Sequence, residues 1–344
     1  MEYLEGSKVV VLDYEDLARG KDLSSSIEVA YNYEGLGLLA VKNVPNVQRY
    51  RAELLPYASR LGMLSPEEKR SLEDARSVYN VGWSEGKEKF EGEFDTLKGS
   101  FYFNPLYDHP SDDEQLVHTF PETFVPNIWP SKLLPEFEGA AKQLSRLMVG
   151  VGVLVAEQCD KYTRSRIPRF PRYSLRQSIT HSATIKARLL HYFPLKDPSK
   201  LKEGGWCGWH NDHGSLTALC PAMFLREGDW RQEVPNTDDK SGLWIKTRRG
   251  EEVRVSIPKD HLAFQIGETA QIQSGGFLRA TPHSVMPSRF PDVVRNTLAV
   301  FMQPNFDVLI DPPPGVPVEQ VYCERYRPGM TFGEFHKVTI DSFY

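Results

Sequence analysis

The segment 208-GWHNDHGSL-216 contains two histidines and one aspartate within four positions, and it governs how the second half of the chain is interpreted. It begins a run, Trp209–Leu219, whose composition predicts a β-strand. Residues two apart in a strand point to the same face. We therefore expect His210 and Asp212 to converge on one side, while Asn211 and His213 face the other side.

Imidazole and carboxylate together suit Fe(II), Mn(II) or Zn(II). A facial triad needs a second histidine, and the best candidate is His283 in 281-TPHSV-285, on a separate predicted strand. Such a triad occupies one face of an octahedron and leaves three adjacent positions open. A histidine and an aspartate spaced this way are also common as a surface or salt-bridged pair. The spacing alone therefore leaves a metal site and a polar surface both open.

A second pattern lies downstream of His283. Arg295 and Thr297 are again two residues apart on a predicted strand. A guanidinium fork beside a hydroxyl is well suited to bind a buried carboxylate. A triad with open positions and a carboxylate clamp is what a metal-chelating dicarboxylate would require.

From Thr184 onward, short β-like runs alternate with turn residues, which indicates an antiparallel sandwich or barrel. The runs are Ile185–Phe193, Trp209–Leu219, Gly242–Thr247, Glu252–Ile257, His261–Gln265, Ala280–Val285 and Thr297–Gln303. The fold class predicted from this pattern is α+β, with helices flanking a β-core.

The first half of the chain mixes helices and strands. Ser25 and Glu28 have capping-box spacing before a helix, and Ser65 precedes a proline as an N-cap would. Further predicted elements are a strand at Leu36–Val41, a helix from about 47 to 61, and a long helix from Pro135 to about Cys159. We expect residues 1–183 to pack on the core formed by 184–344, so that the two regions make one structural unit.

Composition excludes several classes of protein. The 344 residues are 40% hydrophobic and 25% charged, with a net charge of −5, so no electrostatic footprint for nucleic acid or an anionic membrane is present. The longest apolar run, Leu147–Ala156, is too short for a membrane span. The four irregularly spaced cysteines and the absence of a secretory pattern favour a reducing compartment. We expect a cytoplasmic monomer that acts on a small molecule.

Taken together, these segments resemble the isopenicillin N synthase-like branch of the Fe(II)/2-oxoglutarate-dependent dioxygenases. The family pattern HxDxGxxTxL matches His210 to Leu219, and its distal histidine and RxS motif match His283 and Arg295-Asn-Thr297. Weaker likeness extends over nearly the whole chain, including Gly242–Ile245, Ile266–Glu268 and 332-FGEFHK-337.

The resemblance implies a double-stranded β-helix (jelly-roll) core in which His210, Asp212 and His283 hold one Fe(II). It also implies 2-oxoglutarate as cosubstrate, with its far carboxylate at Arg295 and Thr297, and O2 as oxidant. The products would be succinate, CO2 and an oxidised, most simply hydroxylated, organic substrate. Two alternatives stay open, an iron oxidase of the same fold that uses no 2-oxoglutarate and a silent ligand-binding relative.

One departure from the family falls on the strand before the triad. Plant members read N-Y-Y-P there, and the first and third residues touch 2-oxoglutarate; the aligned residues here are His191, Tyr192, Phe193 and Pro194. The phenol expected at Phe193 is missing, and His191 replaces the amide. Either His191 contributes a cosubstrate contact, or 2-oxoglutarate is held more by Arg295. Tyr192, beside His191, is a further candidate, although it faces the opposite side of a regular strand.

Three aromatic residues are candidates for the substrate pocket. Phe301 matches a pocket-lining position of the family, although it could equally be a core residue, and Trp83 and Tyr102 fall in the family's variable substrate-facing region. The polar segment Arg226–Ser241 is longer than in most members. It is either a surface insertion or a partial lid over the site.

Overall fold

The computed structural model describes residues 1–90, 93–172, 174–197 and 206–342. Its strands in the first half are β1 (Glu2–Tyr3), β2 (Val10–Asp13), β3 (Leu38–Lys42), β4 (Gly82–Glu85), β5 (Lys89–Phe90), β6 (Glu93–Phe94) and β7 (Lys98–Phe103). Those in the second half are β8 (Lys186–Tyr192), β9 (Cys207–His210), β10 (Leu216–Leu219), β11 (Met223–Arg226), β12 (Glu233–Val234), β13 (Gly242–Lys246), β14 (Glu252–Val255), β15 (Leu262–Ile266), β16 (His283–Met286) and β17 (Val293–Met302).

The helices that precede the long helix are α1 (Tyr14–Ala18), α2 (Ser24–Tyr31), α3 (Val47–Leu54), α4 (Pro56–Gly62), α5 (Pro66–Ser71), α6 (Glu114–Thr119) and α7 (Pro121–Phe124). They are followed by α8 (Phe137–Arg166), α9 (Ser174–Thr180), α10 (Glu268–Gln273) and α11 (Phe332–Ile340), with a short 3₁₀ helix at Val318–Val321.

Most strands belong to one eleven-stranded sheet, in the order β1-β2-β3-β15-β10-β17-β8-β7-β4; β11 also pairs with β17, and β12 pairs with β11. The long strand β17 is central because it pairs antiparallel with β8, β10 and β11. A smaller sheet has the order β14-β13-β16. The protein is thus a mixed helix and strand fold built around one large sheet.

Strand β9 lies alongside β16 at the edge of the small sheet. The Trp206 N–H donates to the Val285 carbonyl at 2.8 Å, and the Ser284 hydroxyl donates to the Cys207 carbonyl at 2.7 Å. These contacts bring the end of β9 next to the start of β16.

The two faces of the large sheet are buried in different ways. One face packs on α8, where residues such as Leu189 and Val300 join the largest apolar cluster. The approach is close, since a Cβ atom at Gly152 of α8 would lie 2.5 Å from the Met302 sulfur. The other face contributes Leu190 and Ala299 to a second cluster shared with the small sheet. Alternate residues of β8 and β17 therefore face either α8 or the space between the sheets.

The first 183 residues supply strands at both ends of the large sheet. Strand β3 pairs with β15, and β7 pairs with β8, so hydrogen bonding continues from one region into the other. The division at residue 184 stays a prediction.

Helix α8 is long and apolar enough to cross a membrane by length and composition alone, contrary to the expectation that no segment would be. Half of its apolar window is buried inside the protein, and a core helix passes the same test. Its packing on the large sheet is consistent with that second interpretation.

Candidate metal centre and carboxylate site

His210, Asp212 and His283 lie together. One potential ligand atom from each residue lies within 4.8 Å of the other two. Asp212 Oδ1 is 3.9 Å from His210 Nε2 and 4.0 Å from His283 Nε2, and all three residues are largely buried. Two imidazole nitrogens and one carboxylate oxygen that face a common point form a donor set suited to a divalent transition metal.

The route by which Asp212 reaches this point differs from the prediction. His210 is the last residue of β9, whereas Asp212 lies in the connection to β10 and not on a continuous strand. The connection is held by the start of α10, where the Glu268 N–H donates to the Asp212 carbonyl at 2.8 Å. Gly267 allows this approach, since a Cβ atom there would lie 2.1 Å from the Gly214 carbonyl oxygen.

The protonation of the triad follows from its burial. Burial lowers the pKa of His283 to about 4, so the imidazole is neutral, as a ligand must be. For His210, burial is more than offset by the neighbouring Cys207 and Asp212, which raise its pKa to about 9. Burial opposes ionisation of Asp212, but the two imidazoles hold its pKa below the usual value. A divalent cation at this point would take the place of the proton on His210.

Arg295 and Thr297 both face the space between the sheets. Among the residues that the structure describes, nothing accepts a hydrogen bond from Nε or Nη1 of Arg295, although both atoms are buried. The Thr297 hydroxyl donates to the Cys220 carbonyl at 2.9 Å. A buried guanidinium with two unused donors is costly unless an anion binds there.

The triad and Arg295 share one cavity of about 370 Å³. Both sheets contribute to its wall, which includes Tyr192, His210, Asp212, His283, Arg295 and Thr297. A volume of this size is typical of small-ligand sites. The metal position and Arg295 therefore face one shared cavity.

His191 does not line this cavity, so its assignment to the cosubstrate is wrong. It lies on the α8-side face of β8, where Nδ1 is 2.7 Å from Asn296 Oδ1 and the ring packs against Gly62. Tyr192 instead faces the cavity, opposite Arg295 on β17. The two residues do face opposite sides, as expected of a regular strand, but the inward one is Tyr192.

Of the three aromatic candidates, Phe301 lines the cavity wall. Trp83 does not, because it is 1% exposed in the apolar cluster beneath the sheet and touches Gly99. Tyr102 also lies outside the described wall, and its hydroxyl donates to Glu88 Oε1 at 2.6 Å. Direct substrate contact is therefore not supported for Trp83 or Tyr102.

The polar segment Arg226–Ser241 is not simply a surface insertion. Glu233, Val234, Pro235 and Asn236 line the cavity, which favours the lid interpretation. The buried side chain of Arg51 on α3 fixes this segment, since Nη2 lies 2.6 Å from Glu233 Oε1.

Sequence reasoning missed Arg188, which lines the cavity beside Ala299 and Phe301. Its Nε donates to Ser100 Oγ at 2.9 Å and its Nη2 to Glu88 Oε1 at 2.6 Å, which fixes the guanidinium plane. Arg188 shares the face of Leu190 and Tyr192 by strand alternation, so it would be found once Tyr192 is known to face the cavity.

His213 and His336 form a contact that the sequence did not suggest. His213 Nε2 lies 2.9 Å from His336 Nδ1, and the His213 ring stacks on Phe332. Helix α11 is thereby joined to the connection that carries Asp212. His213 itself points away from the triad, as expected.

Neither a family model nor a curated protein sequence matches the chain. Solved structures do match. One is a Caulobacter crescentus protein described as a putative 2OG-Fe(II) oxygenase family protein, which is 19% identical to this chain with a TM-score of 0.69. The match covers 98% of this chain and 99% of that protein. The fold is that of the 2OG-Fe(II) oxygenases.

Two further structures with this oxygenase fold contain ligands. A full-length Neurospora crassa protein in complex with alpha-KG and 5-formyluracil is 17% identical, with a TM-score of 0.70, and 99% of this chain covers 100% of that one. The Arabidopsis thaliana dioxygenase for auxin oxidation 1, in complex with 2-oxoglutarate, is 18% identical, with a TM-score of 0.61, and 93% of this chain covers 100% of it.

Proposed function

We propose that this protein is an Fe(II)- and 2-oxoglutarate-dependent oxygenase that oxidises, most simply by hydroxylation, a small organic molecule and releases succinate and CO2. The observation that carries the proposal is the buried guanidinium of Arg295, whose Nε and Nη1 have no acceptor among the described residues, in the same cavity as the His210–Asp212–His283 triad. Two imidazoles and a carboxylate alone would suit many metals, but the added cation of Arg295 calls for a ligand with a distant carboxylate.

The proposal includes a jelly-roll core. From β8 onward the chain passes repeatedly between the large sheet (β8, β10, β11, β12, β15, β17) and the small sheet with its neighbour β9 (β9, β13, β14, β16). Residues of both sheets share an apolar cluster and line one cavity. Two facing sheets that enclose the site are what a double-stranded β-helix requires.

Each residue of the site has a distinct role in this proposal. His210, Asp212 and His283 would hold Fe(II), which when bound supplies the redox chemistry with O2 at its open positions. Arg295 would bind the far carboxylate of 2-oxoglutarate, with the Thr297 hydroxyl turning toward it. Tyr192 would cover this end of the cavity and shield the ion pair from water.

The remaining wall would bind the organic substrate. Phe301 offers an apolar surface, and Arg188 offers a fixed cation whose plane is set by Ser100 and Glu88. Val234 and Pro235 of the lid segment close another side of the cavity. Enclosure by these groups would keep bulk water away from the reacting centre.

The test is 2-oxoglutarate turnover. Purified protein supplied with Fe(II), 2-oxoglutarate and O2 should form succinate in equal amount to the 2-oxoglutarate consumed, and Asp212→Ala should abolish this. Oxygen uptake with a panel of phenolic, terpenoid and amino-acid compounds but without succinate would instead favour an oxidase that uses no 2-oxoglutarate. A protein that binds Fe(II) and 2-oxoglutarate but consumes no 2-oxoglutarate would be a catalytically silent relative.

We also propose that the protein is a cytoplasmic monomer with no nucleic-acid or membrane partner. All four cysteines are free, which suits a reducing compartment. The net charge of −5 provides no attraction to nucleic acid. Light scattering and cell fractionation test these two statements.

A further inference from the structure

The side chain of Gln265 on β15 lies against the ring of His283. Gln265 is fully buried, and its Nε2 lies 2.6 Å from His283 Nδ1 and 3.2 Å from the Thr281 carbonyl oxygen. Its Oε1 is also buried and has no hydrogen-bond partner among the described residues. The NH2 group of the amide therefore has two partners, whereas its oxygen has none among the described residues.

This arrangement suits only one tautomer of His283. The nitrogen that faces Asp212 is Nε2, and an imidazole that binds a metal through Nε2 carries its proton on Nδ1. The amide NH2 and the Nδ1–H would then be two donors in contact. A half-turn of the amide exchanges its oxygen and nitrogen, so that Oε1 accepts from Nδ1–H.

We propose that Gln265 is a positioning residue for the metal centre: its amide oxygen accepts the Nδ1–H of His283 when Nε2 binds the metal. The inference rests on the proposed function. The Thr281 carbonyl also faces this ring, so Gln265 adds to an existing acceptor and fixes the orientation of the ring.

The two histidine ligands differ in this respect. His210 Nδ1 lies 2.7 Å from the Gly208 carbonyl, a backbone acceptor that no substitution removes. The side-chain partner of His210 Nδ1, Cys207 Sγ, is farther away at 3.8 Å, whereas at His283 Nδ1 the side chain of Gln265 lies at 2.6 Å. Outer partners of this kind contribute to affinity for the metal and to the basicity of the ligand. The metal centre can therefore be tuned through Gln265 without altering any ligand.

The experiment compares Gln265→Leu, which removes the acceptor, with Gln265→Glu, which keeps the shape and strengthens the acceptor. Gln158→Leu removes a fully buried amide on α8, remote from the triad, and serves as the control for the loss of a buried amide. Each protein is titrated with Co(II) under anaerobic conditions, and both the dissociation constant and the visible spectrum of the bound Co(II) are recorded.

We expect Gln265→Leu to weaken Co(II) binding by roughly ten-fold or more and to alter the spectrum. Gln265→Glu should bind at least as tightly as the wild type, and Gln158→Leu should match the wild type. Equal affinities for the Leu variant and the wild type would overturn the inference, as would equal losses in the Leu and Glu variants. A wild-type protein that binds no Co(II) contradicts the proposed function itself, which is a different result.

Discussion

Arg295 and Tyr192 lie opposite each other on β17 and β8, with the guanidinium carbon 5.0 Å from the centre of the phenol ring. Burial lowers the pKa of Arg295, which shows how little solvent stabilises its charge. Among the described residues, nothing accepts a hydrogen bond from its Nε or Nη1. The Tyr192 ring therefore covers a buried cation with two unused donors, which is the anion site that we propose for the cosubstrate.

Substitution of Arg295 should remove the cosubstrate site. We expect Arg295→Gln to weaken 2-oxoglutarate binding by about 100-fold, because truncating one member of a buried charge pair costs about 2–5 kcal/mol. The measurement is an anaerobic 2-oxoglutarate titration in the presence of Fe(II). Arg226→Gln, which alters an exposed pair with Asp292, should leave the affinity unchanged. Equal affinities for Arg295→Gln and the wild type would contradict the assignment.

Tyr192 should matter mainly through its ring. We expect Tyr192→Phe to retain 2-oxoglutarate affinity within about three-fold, since a cation–π contact contributes about 0.5–2 kcal/mol and the ring is kept. Tyr192→Leu should lose more, because the leucine side chain offers no π face to Arg295. The same titration measures both variants. Equally large losses in the two variants would show that the hydroxyl, which both lack, and not the ring, is the important group.

His191 should make stability depend on pH. Burial lowers its pKa to about 4 from 6.5, so the unfolded chain binds a proton between these values while the folded chain does not. The free energy of unfolding should therefore fall as pH decreases from 6.5 to 4, by up to about 1.4 kcal/mol per pH unit from this residue. His191→Gln retains a donor for Asn296 but does not titrate, so its slope in this window should be smaller. Urea unfolding at several pH values measures the difference, and identical slopes would contradict it.

The contact between Arg51 and Glu233 should hold the lid segment. We expect Arg51→Met to lower the free energy of unfolding by about 2 kcal/mol, less than for a fully buried pair because Glu233 is 23% exposed. Proteolysis within 226–241 should also become faster. Lys259→Met removes an exposed partner of the same carboxylate and should change stability by less than about 1 kcal/mol. Equal effects of the two substitutions would argue against the clamp.

The pair His210 and Asp212 could be predicted from the sequence because its spacing is a local pattern, but the route by which Asp212 reaches the site could not. His210 and Asp212 do converge, yet Asp212 lies between β9 and β10, where α10 fixes the turn. Strand alternation predicted correctly that Asp212 faces the same side as His210, although Asp212 lies outside any strand. Contacts with a distant helix cannot be obtained from a strand pattern.

The error at His191 has a simple origin. Alignment of the family pattern at Pro194 predicts that residues 191 and 193 face the cavity. In the structure, the residues of β8 that line the cavity are Arg188, Leu190 and Tyr192. A shift of one residue exchanges the two faces of a strand, so the inward assignment moved to the wrong side chain. Register depends on pairing with β17, which the sequence of β8 does not contain.

The local helix signals in the sequence predicted some helix ends correctly and others incorrectly. The N-cap predicted at Ser65 forms a capping box with Glu68, as expected. The box expected at Ser25 and Glu28 is absent, because α2 begins earlier with Leu23 as the N-cap. The helix predicted from about 47 to 61 is divided into α3 and α4 at Pro56, whose ring cannot continue the hydrogen-bond ladder.

The most direct test of the central claim is whether 2-oxoglutarate binds only when the triad holds iron. Anaerobic addition of Fe(II) and 2-oxoglutarate to the wild-type protein should produce the visible metal-to-ligand charge-transfer band of an Fe(II)–2-oxo acid chelate. His210→Ala and His283→Ala should not produce it, and Arg295→Gln should require much more 2-oxoglutarate. A wild-type protein without this band, or a band that persists in both histidine variants, would contradict the assignment of the site.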